Sequence, residues 1–330
     1  MTTSNTIDST VIDVTTTIER SCQMCGIEVT TLNADNLQAA RDNLFLILTA
    51  LSNQGINLWC IQKTPLAMVV NQATINLPVG TIDVLRANYR TLTTPSNSPL
   101  SGATWAGVDF GATITHPVSI VGFTPSITGQ LNLVIENSPD GVTWVTVKTL
   151  PILSAVAGTQ YWFDIDNTTT AEYWRVRETV AVSMVFTTTT FGTTPAEIPM
   201  APLSLDNYAT LPNKTFTGKP LQYWFDKQKY QPVLWLWPVP NDTAAQIVVW
   251  THRQIQDVGA LTNTLDIPNR WLDSIQASLA YRMAFILPKV DPNLRQELKA
   301  LSGEYTLSAA NGEANGAPIM MLPRIGAYTK

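Results

Sequence analysis

Apolar residues recur at three- and four-residue steps toward both ends of the chain and at two-residue steps in its middle. Val11, Val14, Ile18, Cys22 and Cys25 follow the helical period. So do Leu37, Ala40, Leu44, Ile47 and Leu51, with Asn33 placed to cap that helix and Gly55 to stop it. Residues 67–78 and 81–92 read as strands. In the last third, "VLWLWPVP" and "AAQIVVWTHR" read as two strands joined by "PNDT". Beyond them, Trp271, Ile275, Leu279, Met283 and Ile286 mark one face of a helix over residues 267–287. Asp291 as cap and Pro292 at the first helical position open another, with Leu294, Leu298, Leu301 and Tyr305 as its stripe. Residues 311–330 carry Gly and Pro without a period and read as an extended arm.

The middle of the chain behaves differently. After the linker-like "TTPSNSPLSG", short runs such as "VSIVGF", "QLNLVIEN", "YWRVRE" and "SMVFTTTTF" follow one another, punctuated by "SPDG" and "VAGT". Leu131, Leu133 and Ile135 alternate toward one side. Short strands at this spacing predict a β-sandwich. The expected fold class is therefore α+β. A domain of helices and a small antiparallel sheet, over residues 1–95 and 201–310, is interrupted by an all-β jelly-roll sandwich at 96–200 and followed by the arm at 311–330. Two or three tandem domains are the rival reading.

The aromatics gather in two places. "LQYWFDKQKYQPVLWLWPVPND" splits at Gln231. Trp235 and Trp237 share one strand face with Leu234 and Leu236 on the other, which predicts a strand covered on both sides. Tyr223, Trp224 and Phe225 sit beside Asp226, Lys227 and Lys229 and are the candidates for a subunit interface. Within the sandwich, adjacent rings point to opposite strand faces, so at least half belong to its core. Trp105, Trp162 and Tyr173 are the candidates for contacts with a sugar or a tail fibre.

Composition narrows the function. Only 14% of residues are charged and 45% are hydrophobic, against about 25% charged in an ordinary soluble domain. Such a surface suits permanent burial against other subunits. The net charge of -5 gives no basic footprint for nucleic acid. No basic-then-apolar leader and no membrane-length apolar run are present, so a cytoplasm-like site of synthesis and no membrane are expected. Cys22 and Cys25 in "CQMC", with Cys60, offer a zinc or dithiol reading, but a helix spaced this way buries them as small apolar residues. His116 and His252, the two histidines, fall in strand-like segments. No nucleophile elbow or phosphate loop appears. Asp164 and Asp166, near Asn167 and Glu172, are hard oxygen donors for calcium, with turn chemistry as the alternative. No catalytic residue, metal site or cofactor is expected, and the chain does not read as an enzyme.

Two blocks flanking the insert carry a resemblance. "DNLFLILTALSNQGINLWCIQ", with its Gly55-to-Trp59 element, and "LPVGTIDVLRANYR" form the first. "SLDNYATLPNKTFTGKPLQYWFDKQKYQPVLWLWPVPND", "IVVWTHRQIQDVG" and "LDIPNRWLDSIQASLAYRMA" form the second. Together they resemble head-to-tail adaptor, or connector, virion proteins of short-tailed bacteriophages. The insert resembles a galactose-binding-like, discoidin-type sandwich through Ser138, Asp140, Gly141 and Trp144 of "SPDGVTW" and through Trp174, Arg175 and Arg177 of "YWRVR". The resemblance implies a homo-oligomeric ring, typically of twelve copies, at the head-tail junction of a virion made in a bacterial cytoplasm. The ring docks beneath the portal protein, offers a platform to a tail nozzle, tube or fibre protein, and lets DNA pass without sequence-specific binding. Pro318, Met320, Met321, Leu322, Pro323, Arg324, Ile325 and Tyr328 of the arm are the implied portal contacts.

Overall fold

The computed structural model describes residues 12–27, 33–54, 58–111, 116–165, 169–180, 186–194, 196–242, 245–288 and 290–313. The fold is α+β, with several mostly antiparallel sheets and a few helices. The chain divides into two compact units, residues 1–60 with 254–330 and residues 61–253. The division thus falls between helices and strands, not at the edges of the insert.

The first unit joins helices that lie far apart in the chain. Helices α1 (Val14–Met24) and α2 (Ala34–Asn53) share one core with α4 (Leu272–Met283) and α5 (Pro292–Gly312); the short α3 (Leu205–Ala209) lies in the other unit. Side-chain oxygens of Asp13, Asn33 and Asp291 accept hydrogen bonds from the backbone N–H of Thr16, Asn36 and Asn293 at 2.7, 2.8 and 2.8 Å. Each satisfies an orphan donor of a first turn. Val14, Ile18, Cys22, Leu44, Trp271, Leu279 and Met283 are fully buried. Hydroxyl pairs Ser274–Thr306 and Ser278–Ser302 stitch α4 to α5 at 2.8 and 2.9 Å. The expected helix over 267–287 is shorter, because Pro268 precedes a 3-10 turn at Asn269–Trp271 and the chain leaves helical geometry after Met283. Ile286 is therefore exposed and Leu287 takes its place in the core.

Cys22 and Cys25 pack in this core, Cys25 Sγ donating to the Ala280 carbonyl at 3.2 Å. Burial pushes their thiols up to about 11 and about 12. Cys60 is buried too.

The second unit holds two sheets around a shared core and the inserted sandwich. One sheet has the order Ile61–Ala67, Ala245–Arg253, Thr81–Thr91, Glu197–Pro199, all antiparallel. The other has the order Ala201–Leu203, Gln222–Asp226, Val233–Trp237, Thr74–Asn76. Leu66, Ala87, Tyr89, Ile247 and Val249 from the first meet Met200, Tyr223, Leu234 and Leu236 from the second. Two expectations change here. Residues 67–78 are not one strand: Ala67 ends the strand Ile61–Ala67, the chain turns through Asn71 at φ 62°, and pairing resumes at 74–76. The strand Ile61–Ala67 is an addition to the expected elements, since Lys63 and Pro65 interrupt its apolar pattern. The two strands on either side of "PNDT" are present and belong to different sheets.

The insert is a β-sandwich. Its five-stranded sheet has the order Val145–Thr149, Leu133–Ser138, Tyr173–Glu178, Trp105–Asp109, Ser98–Ser101; its three-stranded sheet has Tyr161–Asp164, Ile120–Pro125, Phe186–Gly192. Trp174, Phe123, Phe191, Leu133 and Ile135 fill the space between. Its neck closes where Thr93 and Thr193 exchange backbone hydrogen bonds at 2.9 Å. Glu197–Pro199, within the span expected for the insert, pairs with the host strand 81–91.

A charge hub ties the sandwich to the host sheet. Arg90, 2% exposed, reaches Asp164 of the insert at 2.6 Å and donates through Nε to Glu197 at 2.7 Å. Lys63 adds a second contact to Asp164 at 2.7 Å, and Asn88 donates to Glu197 at 3.0 Å. Asp164 is thus an ion-pair partner at a strand end, which replaces both the calcium and the turn readings for it. Asp166 and Asn167 lie outside the described residues. Burial raises both carboxyls, but bonds from Arg90 and Lys63 to Asp164, and from Asn88 and Arg90 to Glu197, outweigh it and hold them below the usual range.

Both carboxyls titrate lower when folded than when unfolded, so the hub stabilises fully above about pH 4 and is lost as pH falls through the lower folded values. Asp164→Asn should lower stability at pH 7 by about 2 kcal/mol and flatten the acid limb of the stability profile; urea melts at pH 7 and pH 3 check both. Separately, a thiol reagent should label none of the three cysteines in the native protein and all three in urea.

Candidate functional site

The outer face of the five-stranded sheet carries the densest polar and aromatic constellation of the insert. Along Tyr173–Glu178, Trp174, Val176 and Glu178 are buried while Tyr173, Arg175 and Arg177 are half-exposed. The register sets one row across the sheet: Leu100 beside Gly107, Gly107 beside Arg175, Arg175 beside Glu136, Glu136 beside Thr146. Trp105 stands next to Arg177 and Asp109 next to Tyr173.

Gly107 keeps the centre of this row open. A Cβ there would lie 2.3 Å from the Trp174 carbonyl oxygen and 2.9 Å from Arg175 Cβ. Gly102 plays a similar part. A Cβ at that position would meet Trp105 Nε1 at 2.2 Å, so glycine lets the indole lie across the strand end. The "SPDG" turn then folds over the other end of the face. Asp140 accepts from the backbone N–H of Thr143 and Val142 and from Ser138 Oγ, which holds its carboxyl well below the usual range. Gly141, at φ 71°, passes over the Tyr173 ring. The turn delivers Trp144 onto Arg175.

The guanidinium of Arg175 lies 3.9 Å from the Trp144 ring centroid and 5.5 Å from that of Trp105, and the two indoles stand 6.3 Å apart at 45°. Its Nε donates to Glu136 at 2.6 Å, and Arg177 binds the same carboxylate through Nε at 3.0 Å and Nη2 at 2.6 Å. Burial raises the Glu136 carboxyl, and the two arginines outweigh burial and keep it ionised. Tyr173 is held protonated by its hydrogen bond to Glu172 and by the surrounding carboxylates of Asp109, Glu172 and Asp140.

Two of the three expected sugar or fibre contacts, Trp105 and Tyr173, therefore share this face. Trp162 does not. It lies in the three-stranded sheet, flat against Gly122, whose added Cβ would be 2.4 Å from the indole. Its indole N–H is buried without a partner. Trp144 and Arg175 complete the face, beyond the residues that the sequence singles out for sugar contact. The "SPDG" turn ahead of Trp144 is the signal that points to them.

The other expected residues separate as well. Tyr223 is 4% exposed and points into the core opposite Leu236, so it leaves the set of interface candidates. Trp224 points the other way, stacked on Tyr208 at 5.2 Å and on Trp235 at 6.0 Å. Phe225 is half-buried against the core that Tyr223 joins. Trp235 and Trp237 are half-buried, and it is Leu234 and Leu236 that are sealed. Pro318, Met320, Met321, Leu322, Pro323, Arg324, Ile325 and Tyr328 lie outside the described residues. His252 is buried with Nε2 unpartnered, and burial lowers its pKa. Among the described residues no group of three or more His, Cys, Asp or Glu side chains is arranged to hold a metal ion, and no helix is long and apolar enough to cross a membrane.

No protein-family model matches the chain, and no curated protein matches it. Among solved structures the chain is similar to CBM62 from Clostridium thermocellum Xyl5A, at 24% identity over 29% of this chain and 73% of that one, with a TM-score of 0.24. It is also similar to CBM32-1 from a family 31 glycoside hydrolase of Clostridium perfringens, at 11% identity over 38% and 96%, with a TM-score of 0.24. A third is chitosan-binding module 2 of a chitosanase/glucanase from Paenibacillus sp. IK-5, at 17% identity over 37% and 92%, with a TM-score of 0.21.

Proposed function

We propose that the protein is a carbohydrate-binding virion surface protein, and that the inserted sandwich takes a saccharide on the face built by Trp105, Trp144, Tyr173 and Arg175. The observation that supports this reading is the half-exposed pair of indoles held rigid around a guanidinium. Aromatic rings carry a negative face that attracts the polarised C–H groups of a sugar ring. The fixed arginine and the tyrosine hydroxyl supply directional hydrogen bonds beside them. Rings already locked by Gly102, Gly141 and the Arg175–Glu136 pair lose little freedom on binding. The purified protein should bind on a glycan array, and Trp144→Ala or Trp105→Ala should weaken that binding at least tenfold with the melting temperature of the helical unit unchanged. Binding that ignores both substitutions would sink the proposal.

A second, compatible reading is favoured by the helical unit. Phe45, Leu46, Phe285 and Leu307 are 41%, 52%, 61% and 64% exposed there, in a chain with few charges. Large apolar side chains left in solvent mark association surfaces. In this reading the protein is a non-enzymatic head-to-tail adaptor. It forms a ring, typically of twelve copies, under the portal protein, and contacts a tail nozzle, tube or fibre protein, while DNA passes without sequence-specific contacts. Mixed with its portal, the protein should give a cap of matching symmetry in negative stain. Deleting Ala317–Lys330 should abolish that cap and leave the circular dichroism spectrum intact; a truncated protein that still caps the portal would refute the arm's role.

A further inference from the structure

The sandwich face has a chemical polarity that selects among saccharides. Arg175 and Arg177 share one carboxylate, Glu136, which leaves the cluster with one uncompensated positive charge. The hydrogen bonds distribute unevenly. Arg177 meets Glu136 with Nε and Nη2, whereas Arg175 uses Nε. The two terminal amino groups of Arg175 have no hydrogen-bond partner among the described residues, and neither is a buried unpartnered atom. Their shared edge presents two parallel N–H donors on a side chain that is 15% exposed.

Such an edge matches a carboxylate in bidentate geometry. Trp144 stacks on the guanidinium and Glu136 fixes its Nε, so the fork is oriented before any ligand arrives. The opposite end of the face repels an anion. Asp109 stands beside Tyr173, with Glu172 and Asp140 close by. The oxygens of Asp140 are taken up by its own turn, and Asp109 Oδ1 accepts from the Gly111 N–H at 2.7 Å. An acidic group is therefore directed to the Arg175 and Arg177 end, beside Trp105, and neutral hydroxyls to the Tyr173 end.

We infer that the ligand of this face is an acidic saccharide, a chain bearing a uronate or sialate carboxylate, with Arg175 as the residue that selects it. This rests on the carbohydrate-binding reading above. The carboxylate lies on the free edge of Arg175 and a sugar ring on the indoles at its side. Arg177 contributes charge, and Glu136 holds both arginines in place.

The test is a titration by isothermal calorimetry of the full-length protein. The probes are oligogalacturonate, oligoalginate and sialyllactose, each against a neutral counterpart: galactan, mannan and lactose oligosaccharides. At least one acidic probe should bind tenfold or more tightly than its counterpart. That advantage should shrink as sodium chloride rises from about 50 to about 500 mM, because added ions screen the attraction between the guanidinium and the carboxylate. Arg175→Gln should remove the advantage, weakening the acidic probe at least tenfold more than its neutral counterpart. Arg175→Lys keeps the charge and loses the fork, so it should restore less than half of the advantage in logarithmic terms; it also serves if Arg175→Gln does not fold. Neutral probes binding as tightly as acidic ones, or an advantage that survives Arg175→Gln, would overturn this inference and leave the sugar-binding reading standing. No binding by any of the six probes would overturn both.

Discussion

One guanidinium ties the β-rich unit together. Arg90 is sealed from water, and its charge is shared by Asp164 within the insert and Glu197 just beyond it. A buried charge is tolerable when it is paired and hydrogen-bonded. Here Arg90 and Lys63 balance Asp164 and Glu197, so the hub is neutral as a set. Two backbone strands at the Thr93–Thr193 neck would by themselves form a hinge. The hub adds a third point of attachment on the strand Tyr161–Asp164. The insert is thereby held to the host by side chains as well as by its two backbone connections.

The same economy runs through the rest of the molecule. Several of the few charged residues are gathered into local sets: Arg175 and Arg177 around Glu136, Arg270 with Glu313 at the end of α5, Arg90 in its hub. The open surface is left largely to Thr, Ser and Asn, whose interactions are short and directional. Tryptophans follow a parallel division. Trp174 and Trp271 are sealed and hold cores together. Trp224 and Trp235 pack on Tyr208 and brace one sheet from outside. Trp105 and Trp144 stand on a guanidinium with part of each ring in solvent.

Much of this is legible in the amino-acid sequence. Helix caps at Asn33 and Asp291 and the stripe through Trp271, Ile275 and Leu279 depend on local spacing, and local spacing is what a sequence displays. Strand alternation in "QLNLVIEN" and "YWRVRE" likewise predicts the sandwich. Partners distant in the chain are not legible. The Arg90–Asp164 contact spans 74 positions, and no periodicity encodes it. The strand Ile61–Ala67 is hidden because Lys63 and Pro65 break its apolar alternation; both are tolerated on an edge strand. Tyr223 is misplaced by sequence because neighbouring aromatics in "QYWFD" look alike, and only register with Leu236 shows which one turns inward. For the candidate face, Trp105 and Tyr173 can be named from their residue type. Arg175 cannot, since its role follows from the turn that brings Trp144 over it.

The helical unit has a further consequence for how the protein is made. Its core is assembled from residues 1–60 and 254–330, so α1 and α2 emerge first and their partners α4 and α5 last. Everything between them forms a self-contained β unit from one continuous stretch. During synthesis the two early helices must wait, with Leu44, Leu48 and Ile18 unsealed, while the whole β unit is translated and given time to fold. The long separation makes the helical unit a completion check. It closes only on chains that have been read through to the end of α5, and an interrupted product is left with an apolar surface that chaperones and proteases recognise.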